Sequence, residues 1–372
     1  MPEFTSPGVY VEEISFTSRP IECLPVDAAL FVGRLPDGSH DAIRGPFVDL
    51  AEFEQACGPV DVATPDYLRR AVAAFFANGG RKLHIAVVDA EGESEPDAAD
   101  YATALQASLE STDIGLVAAP GASTLADGAA IEDVLLAHVA SPDLGRFLLL
   151  DPPSGLDIAG IRAWRSRFDS PRAATYYPWI VADGMPQPPS GFLCGVYAAT
   201  DRQRGVHVAP ANLELKGADG FERPLTHVEN ELLNPLGINC LREFPGRGLR
   251  VWGARTLSSD PEWKYVNVRR LIDQLQRSLC RGLEWVATER QDESLWANVR
   301  AVAGDFLMQE WRNGALVGDK PQTAWFVRCD RETMTQADID AGKLVCMIGV
   351  APARPTEFVT FRIVLATLPA VE

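Results

Sequence analysis

Short apolar runs alternate with amphipathic stretches from Ala28 to about Thr200. Ala29-Leu30-Phe31-Val32, Leu83-His84-Ile85-Ala86-Val87-Val88, Ile114-Gly115-Leu116-Val117-Ala118 and Arg146-Phe147-Leu148-Leu149-Leu150 read as buried strands, because a strand with one wet face would alternate apolar with polar positions. The clearest helix between them covers 67 to 78. Its Leu68, Ala71, Val72, Phe75 and Phe76 fall at i, i+3, i+4, i+7 and i+8, Thr64-Pro65-Asp66 supplies a cap and first turn, and Asn78-Gly79-Gly80 stops it. Ala90 to Asp100, acidic and broken by Gly92 and Pro96, reads as a surface loop. Strand and helix alternating at this spacing predict an α/β layered domain with a mainly parallel sheet.

Past residue 205 the order changes. Two helical stretches follow each other: 264 to about 288, with Val268, Leu271, Ile272, Leu275, Leu279 and Val286 on one face, and 294 to 313, with Leu295, Val299, Val302, Phe306 and Leu307, closed by Asn313-Gly314. Strands are then expected at Thr323 to Cys329, Lys343 to Val350 and Glu357 to Leu365, the last with one apolar face. Helices followed by antiparallel strands describe an α+β unit. The expected fold is therefore α/β plus α+β: an N-terminal arm over 1–27, an inserted α/β domain over 28–204 and an α+β domain over 205–372. A chain of 372 residues is long enough for two such cores.

Both ends carry a strand. Val9-Tyr10-Val11-Glu12-Glu13-Ile14 is fenced by Pro7-Gly8 and by Pro20 and Pro25, and Phe358-Val359-Thr360-Phe361-Arg362-Ile363 lies close to the other terminus. Either would expose an unpaired edge unless it joins a sheet, in its own chain or in a neighbouring one.

Charge separates the two halves. Residues 1–204 carry net −15 and residues 205–372 net −2, in a chain of net −17. That balance disfavours nucleic acid and anionic membranes as partners, since both are bound through Lys and Arg. Residues 240–290 nevertheless hold ten basic side chains against six acidic ones. They read either as a solvated, salt-bridged helix face or as a basic face docking an acidic partner, with Arg269, Arg270, Arg277 and Arg281 expected on the polar side of the 264–288 helix. Apolar residues at 47% exclude wholesale disorder. The seven cysteines show no CxxC and no close pair, which suggests a reducing cytoplasm. No signal peptide or membrane span is read, so export would need another route such as lysis.

Catalytic chemistry finds little to stand on. HExxH, GxxxxGK[ST], GxGxxG after a strand and GxSxG do not occur. His84 reads as a sheet or core residue, and His227-Val228-Glu229 begins a zinc-deaminase pattern that no PCxxC completes. Gly121-Ala122-Ser123-Thr124 suits an anion-binding turn or a plain strand-to-helix turn, and an enzyme reading would place its site there, at the carboxyl ends of the strands. No catalytic residue, metal ligand or cofactor is assigned.

Linked motifs carry a resemblance. Thr5-Ser6-Pro7-Gly8-Val9-Tyr10-Val11-Glu12-Glu13, Phe75-Phe76-Ala77-Asn78-Gly79-Gly80, Leu233-Asn234-Pro235-Leu236-Gly237-Ile238-Asn239, Gly248-Leu249-Arg250-Val251-Trp252-Gly253-Ala254-Arg255-Thr256-Leu257 and Val350-Ala351-Pro352-Ala353-Arg354-Pro355-Thr356-Glu357-Phe358-Val359 stand in an order that resembles contractile tail sheath proteins of phages, pyocins and injection systems. Thr356 departs from the usual Ala, and a single inserted domain points to the compact sheaths of pyocins and injection systems. The resemblance implies a structural, non-enzymatic subunit that forms stacked hexameric rings around an inner tube protein, bounded by a baseplate and a tail terminator or cap. It implies strand exchange between subunits through Val9 to Ile14 and Phe358 to Ile363, and a C-terminal half facing the tube. It also implies assembly in the bacterial cytoplasm and release in a virion or extracellular particle. A non-contracting tail or baseplate component and an α/β enzyme remain as alternatives.

Overall fold

The computed structural model describes residues 20–35, 41–60, 66–89, 95–353 and 359–366. Its first unit contains β1 (Ala28–Gly33), β2 (Ile43–Phe47), α1 (Leu50–Cys57), α2 (Tyr67–Ala77), β3 (Leu83–Val87), α3 (Ala98–Ala107), β4 (Ile114–Ala118), α4 (Gly128–Ala140), β5 (Phe147–Leu150), α5 (Ile158–Arg165) and β6 (Ala173–Tyr177). A small sheet follows from β7 (Ile180–Ala182), β8 (Met185–Gln187) and, after α6 (Ser190–Arg204), β9 (Gly220–Phe221). Then come α7 (His227–Leu233) and the hairpin of β10 (Ile238–Phe244) and β11 (Gly248–Trp252).

The main sheet runs β11-β10-β6-β5-β4-β1-β3-β2, with six inner strands parallel and both outer strands antiparallel. Alternation along each strand sorts the two cores. Ala29, Phe31, Leu116, Ala118, Phe147 and Leu149 face α1, α2 and α6, while Leu30, Val32, Val117, Leu148 and Leu150 face α3, α4 and α5. Helices on both faces explain why these strands are apolar at every position.

Two expectations are corrected here. The sheet does not stop at residue 204: β10 extends the parallel array on β6 by pairing Ile238, Asn239 and Cys240 with Thr175, Tyr176 and Tyr177. A boundary at 204 would cut through this ladder. The stretch read as a loop to Asp100 ends in a helix start, because Asp97 accepts the amides of Ala99 and Asp100 while the Asp100 carboxylate accepts the Asp97 amide.

The second unit has α8 (Val266–Gly282), α9 (Glu293–Arg312) and an antiparallel sheet β12 (Trp325–Arg328), β13 (Lys343–Val350) and β14 (Val359–Ala366). Leu271, Ile272, Leu275 and Leu279 of α8 pack with Val299, Val302 and Phe306 of α9 and with Leu344, Cys346 and Ile348 of β13. The helix ends at Gly282, and Val286 is buried in the 3-10 turn over 284–288. Residues 20–27 lie along α8 in the opposite direction. The Leu24 amide donates to Ser278 Oγ (2.9 Å), Gln274 Nε2 donates to the Leu24 carbonyl (2.9 Å), and Arg270 donates to the Val26 carbonyl (3.1 Å). Gly115 of β4 has no side chain where Val26 crosses, and a Cβ there would overlap the Val26 carbonyl.

Candidate assembly interfaces

An unpaired strand edge is a template for another chain, and this fold treats its edges unequally. On the main sheet, β2 is short, contains Pro46 with no amide to donate, and shifts register between Arg44 and Phe47. At the other end β11 is covered by residues 212–215: the Asn212 amide donates to Val251 (2.6 Å), the Leu215 amide to Leu249 (3.0 Å), and the Val251 amide to Leu213 (3.0 Å). The C-terminal sheet is different. β14 pairs with β13 in its own chain from Val359↔Val350 to Ala366↔Lys343, and among the described residues neither β14 nor β12 has a second neighbour. Of the terminal residues expected to exchange strands, Val9 to Ile14 and Phe358 lie outside the described residues. Val359, Thr360, Phe361, Arg362 and Ile363 are in β14.

The four arginines expected on a polar face of α8 are mostly internal, which corrects that reading. Arg269 and Arg270 are 6% and 3% exposed. Arg269 holds Asp273 through Nε (2.9 Å) and Nη2 (2.6 Å), and Arg172 reaches the same carboxylate (2.9 Å). Arg270 holds Asp201, at the end of α6, through Nη1 (2.9 Å) and Nη2 (2.5 Å). Burial pushes the Asp201 carboxyl above its ordinary value and Arg270 opposes that rise. Arg277 donates to the carbonyls of Ile114 (3.2 Å) and Thr112. Of the four, Arg281 alone is exposed. The physical reason is position: α8 joins both cores, with Val266 in the sheet unit and Leu271 to Leu279 in the second, so its charges pair inside the chain.

The crevice required by the enzyme reading exists. It lies at the carboxyl ends of β1 and β4 with a volume of about 670 Å³; another pocket, of about 370 Å³, sits elsewhere, at one flank of the sheet between α5 and the turn before β10. The crevice is where the strand order reverses, the usual place for a ligand in such sheets. Several of its polar groups are engaged locally, however. Asp66 caps α2 and pairs with Arg69 (3.2 Å), Thr124 donates to the Gly121 carbonyl (2.7 Å), and Glu95 accepts the Ala126 amide (3.2 Å). Gly121 to Thr124 is a short 3-10 turn. His84 pairs with Asp113 (2.9 Å) on β3, and His227 with Glu231 (3.2 Å) on α7. No group of three or more potential metal ligands is found among the described residues. None of their helices is long and apolar enough to cross a membrane.

The chain thus joins a doubly wound sheet, through a buried ion-paired helix, to a small sheet whose outer strands have no second neighbour among the described residues. Residues 94–257 match the phage tail sheath protein central domain and residues 258–366 the phage tail sheath C-terminal domain. The structure is similar to a chain in the six-fold symmetrised baseplate of the anti-feeding prophage (31% identity, 96% of this chain and 98% of that one, TM-score 0.76). It is also similar to a chain in the contracted PVC sheath complex of an extracellular contractile injection system (30% identity, 96% and 97%, TM-score 0.77). A prophage major tail sheath sequence of Pseudomonas aeruginosa (strain UCBPP-PA14) is 27% identical over 260 residues, 67% of this chain. The match spans 64% of that relative and 49% of the tail sheath protein of Burkholderia phage BcepMu. The chain belongs to the contractile tail sheath family.

Proposed function

We propose that this chain is the structural subunit of a contractile sheath. Copies stack as hexameric rings around an inner tube protein, between a baseplate and a terminator or cap, and the cylinder shortens to drive the tube through a target envelope. The observation that carries this reading is the likeness over nearly the whole chain, at 30–31% identity, to chains in a baseplate and in a contracted sheath. Assembly in the bacterial cytoplasm and release in a virion or extracellular particle accord with it. In this reading Val9 to Ile14 and Phe358 to Ile363 join sheets of neighbouring subunits: the second segment exchanges the β14–β13 pairing of the single chain for the same pairing on a neighbour's β13, and the edge of β12, which has no second neighbour among the described residues, is a receiving position for the first.

The unit from α8 onward faces the tube and the sheet unit projects outward. Moving the division from 204 to 257, after the hairpin, keeps the charge contrast: residues 258–372 hold 14 basic and 16 acidic side chains, net −2, leaving −15 to the rest. An exposed rim tolerates that self-repulsion better than a crowded interior. Arg281 is the remaining candidate for a tube or subunit contact on α8. Deletion of residues 1–14 tests the reading. The truncated chain is expected to stay folded by circular dichroism and to form no sheath-length cylinders, and cylinders of full length from the truncated chain would refute the arm's role.

A further inference from the structure

The outer unit carries two complementary patches on opposite flanks. Three of the exposed large apolar side chains follow one another closely: Val228 (64% exposed) and Leu232 (52%) lie one turn apart on α7, and Leu236 (39%) lies in the 3-10 turn after it. A single surface Leu is unremarkable, but three in close succession mark a contact surface. Leu236 also lines the 370 Å³ pocket, whose charged walls are Arg162 and Arg165 of α5, Arg255, Lys264 and Asp260, net +3. Arg165 and Arg255 are held to the Leu257 carbonyl (2.9 Å) and the Asn234 carbonyl (2.8 Å), and among the described residues none of the four cations is in an ion pair. This is a basic pocket, two of its four cations held in place, beside an apolar ridge in a protein of net −17.

At the other flank, Val48 (60% exposed) stands between β2 and α1. Around it residues 41–57 hold Asp41, Asp49, Glu52 and Glu54 against Arg44, net −3. The Glu52 carboxylate accepts the Val48 amide (2.8 Å) and Asp49 accepts the Glu52 amide (2.8 Å), so these acids are ordered where Val48 projects. Both patches lie at the end of the sheet where the parallel strands begin, since Phe47 pairs with Leu83 at the start of β3 and Ile238 begins β10. β10 and β2 are separated by six strand spacings, roughly 29 Å at ~4.8 Å each. One chain cannot bring its two patches together.

We infer that the α7 ridge and its basic pocket receive the Val48–Glu52 corner of a second copy, a head-to-tail contact between outer units. It rests on the assembly reading above and names one of its interfaces. Different patches on the two partners make the contact heterologous, the type that closes into a ring or runs on as a helix. Opposite charges set its register and the apolar ridge adds buried area.

The test uses the full-length chain, with sedimentation and negative-stain microscopy as readouts. Arg162→Glu with Lys264→Glu takes the pocket from net +3 to −1, and Glu52→Arg with Glu54→Arg takes the corner from net −3 to +1 while leaving the Asp49 cap in place. Each double variant should assemble at least ~10-fold less than wild type at equal concentration, the factor that about 1.4 kcal/mol of lost pairing gives. An equimolar mixture of the two should recover assembly, because each reversed surface then meets its complement. Wild-type sheaths with silent variants, or a mixture that stays unassembled, overturn this interface and leave the sheath reading standing. A wild-type chain that never assembles overturns both.

Discussion

Asp151 is a buried carboxyl whose partners are neutral: the Ser190 amide (2.9 Å) and hydroxyl (2.5 Å). Burial raises its pKa from 3.8 to about 7, with both Ser190 bonds opposing the rise. An unfolded chain releases this proton near pH 4, whereas the fold retains it to about pH 7. The unfolded state therefore binds fewer protons across that window, and stability falls as pH rises through it. Asp151→Asn keeps a polar partner for Ser190 without the ionisation. Relative to wild type the variant should gain stability between pH 4.5 and 8 by on the order of a few kcal/mol, since each tenfold change in proton affinity on folding is worth about 1.4 kcal/mol. Urea denaturation at the two pH values measures this, and a difference that does not change with pH contradicts it. Asp201→Asn is a harsher change, because it leaves the Arg270 guanidinium buried without its carboxylate. Removing one partner of a buried pair costs about 3–5 kcal/mol, so a loss below ~1 kcal/mol would show that the pair contributes little to joining α6 and α8.

At the scale of elements, α8 is the piece on which the two units depend. It makes side-chain bonds with Arg172 just before β6, with the end of α6 and with residues 24–26. Gly115→Ala tests the strap of residues 20–27 alone, since its Cβ would meet the Val26 carbonyl. Overpacking of this kind costs about 1–3 kcal/mol, and hydrogen exchange should rise at residues 21–27 before it rises in β4. Equal protection throughout would show that the strap yields without leaving α8. The helices α2, α8 and α9 and the strands β1, β3, β4, β5 and β13 are plain in the sequence because their apolar spacing is regular. The β10–β11 hairpin is not, since Asn239, Arg242, Arg247 and Arg250 interrupt its apolar positions and its place in the sheet comes from pairing with the distant β6. The burial of Arg269 and Arg270 is equally hidden. Charges on a helix read as a wet face until Asp201, 69 positions away, is seen beside Arg270. That β12 and β14 are outer strands of their sheet among the described residues follows from strand order, which one chain's periodicity does not encode.

For the whole molecule, the proposed contraction draws its work from an assembly relaxing from a metastable to a tighter packing. Shortening of purified sheaths should then proceed at the same rate with and without ATP, and a strict requirement for nucleotide would contradict this. The lateral contact inferred between patches of net +3 and net −3 should make the early steps of assembly sensitive to salt, because exposed charges are screened over ~8–10 Å at ordinary ionic strength. The central claim is that this chain polymerises into a sheath, and electron microscopy of the purified full-length protein, concentrated without nucleotide, tests it most directly. The account predicts hollow striated cylinders with six-fold end views, whereas a protein that stays monodisperse and monomeric at every concentration would contradict it.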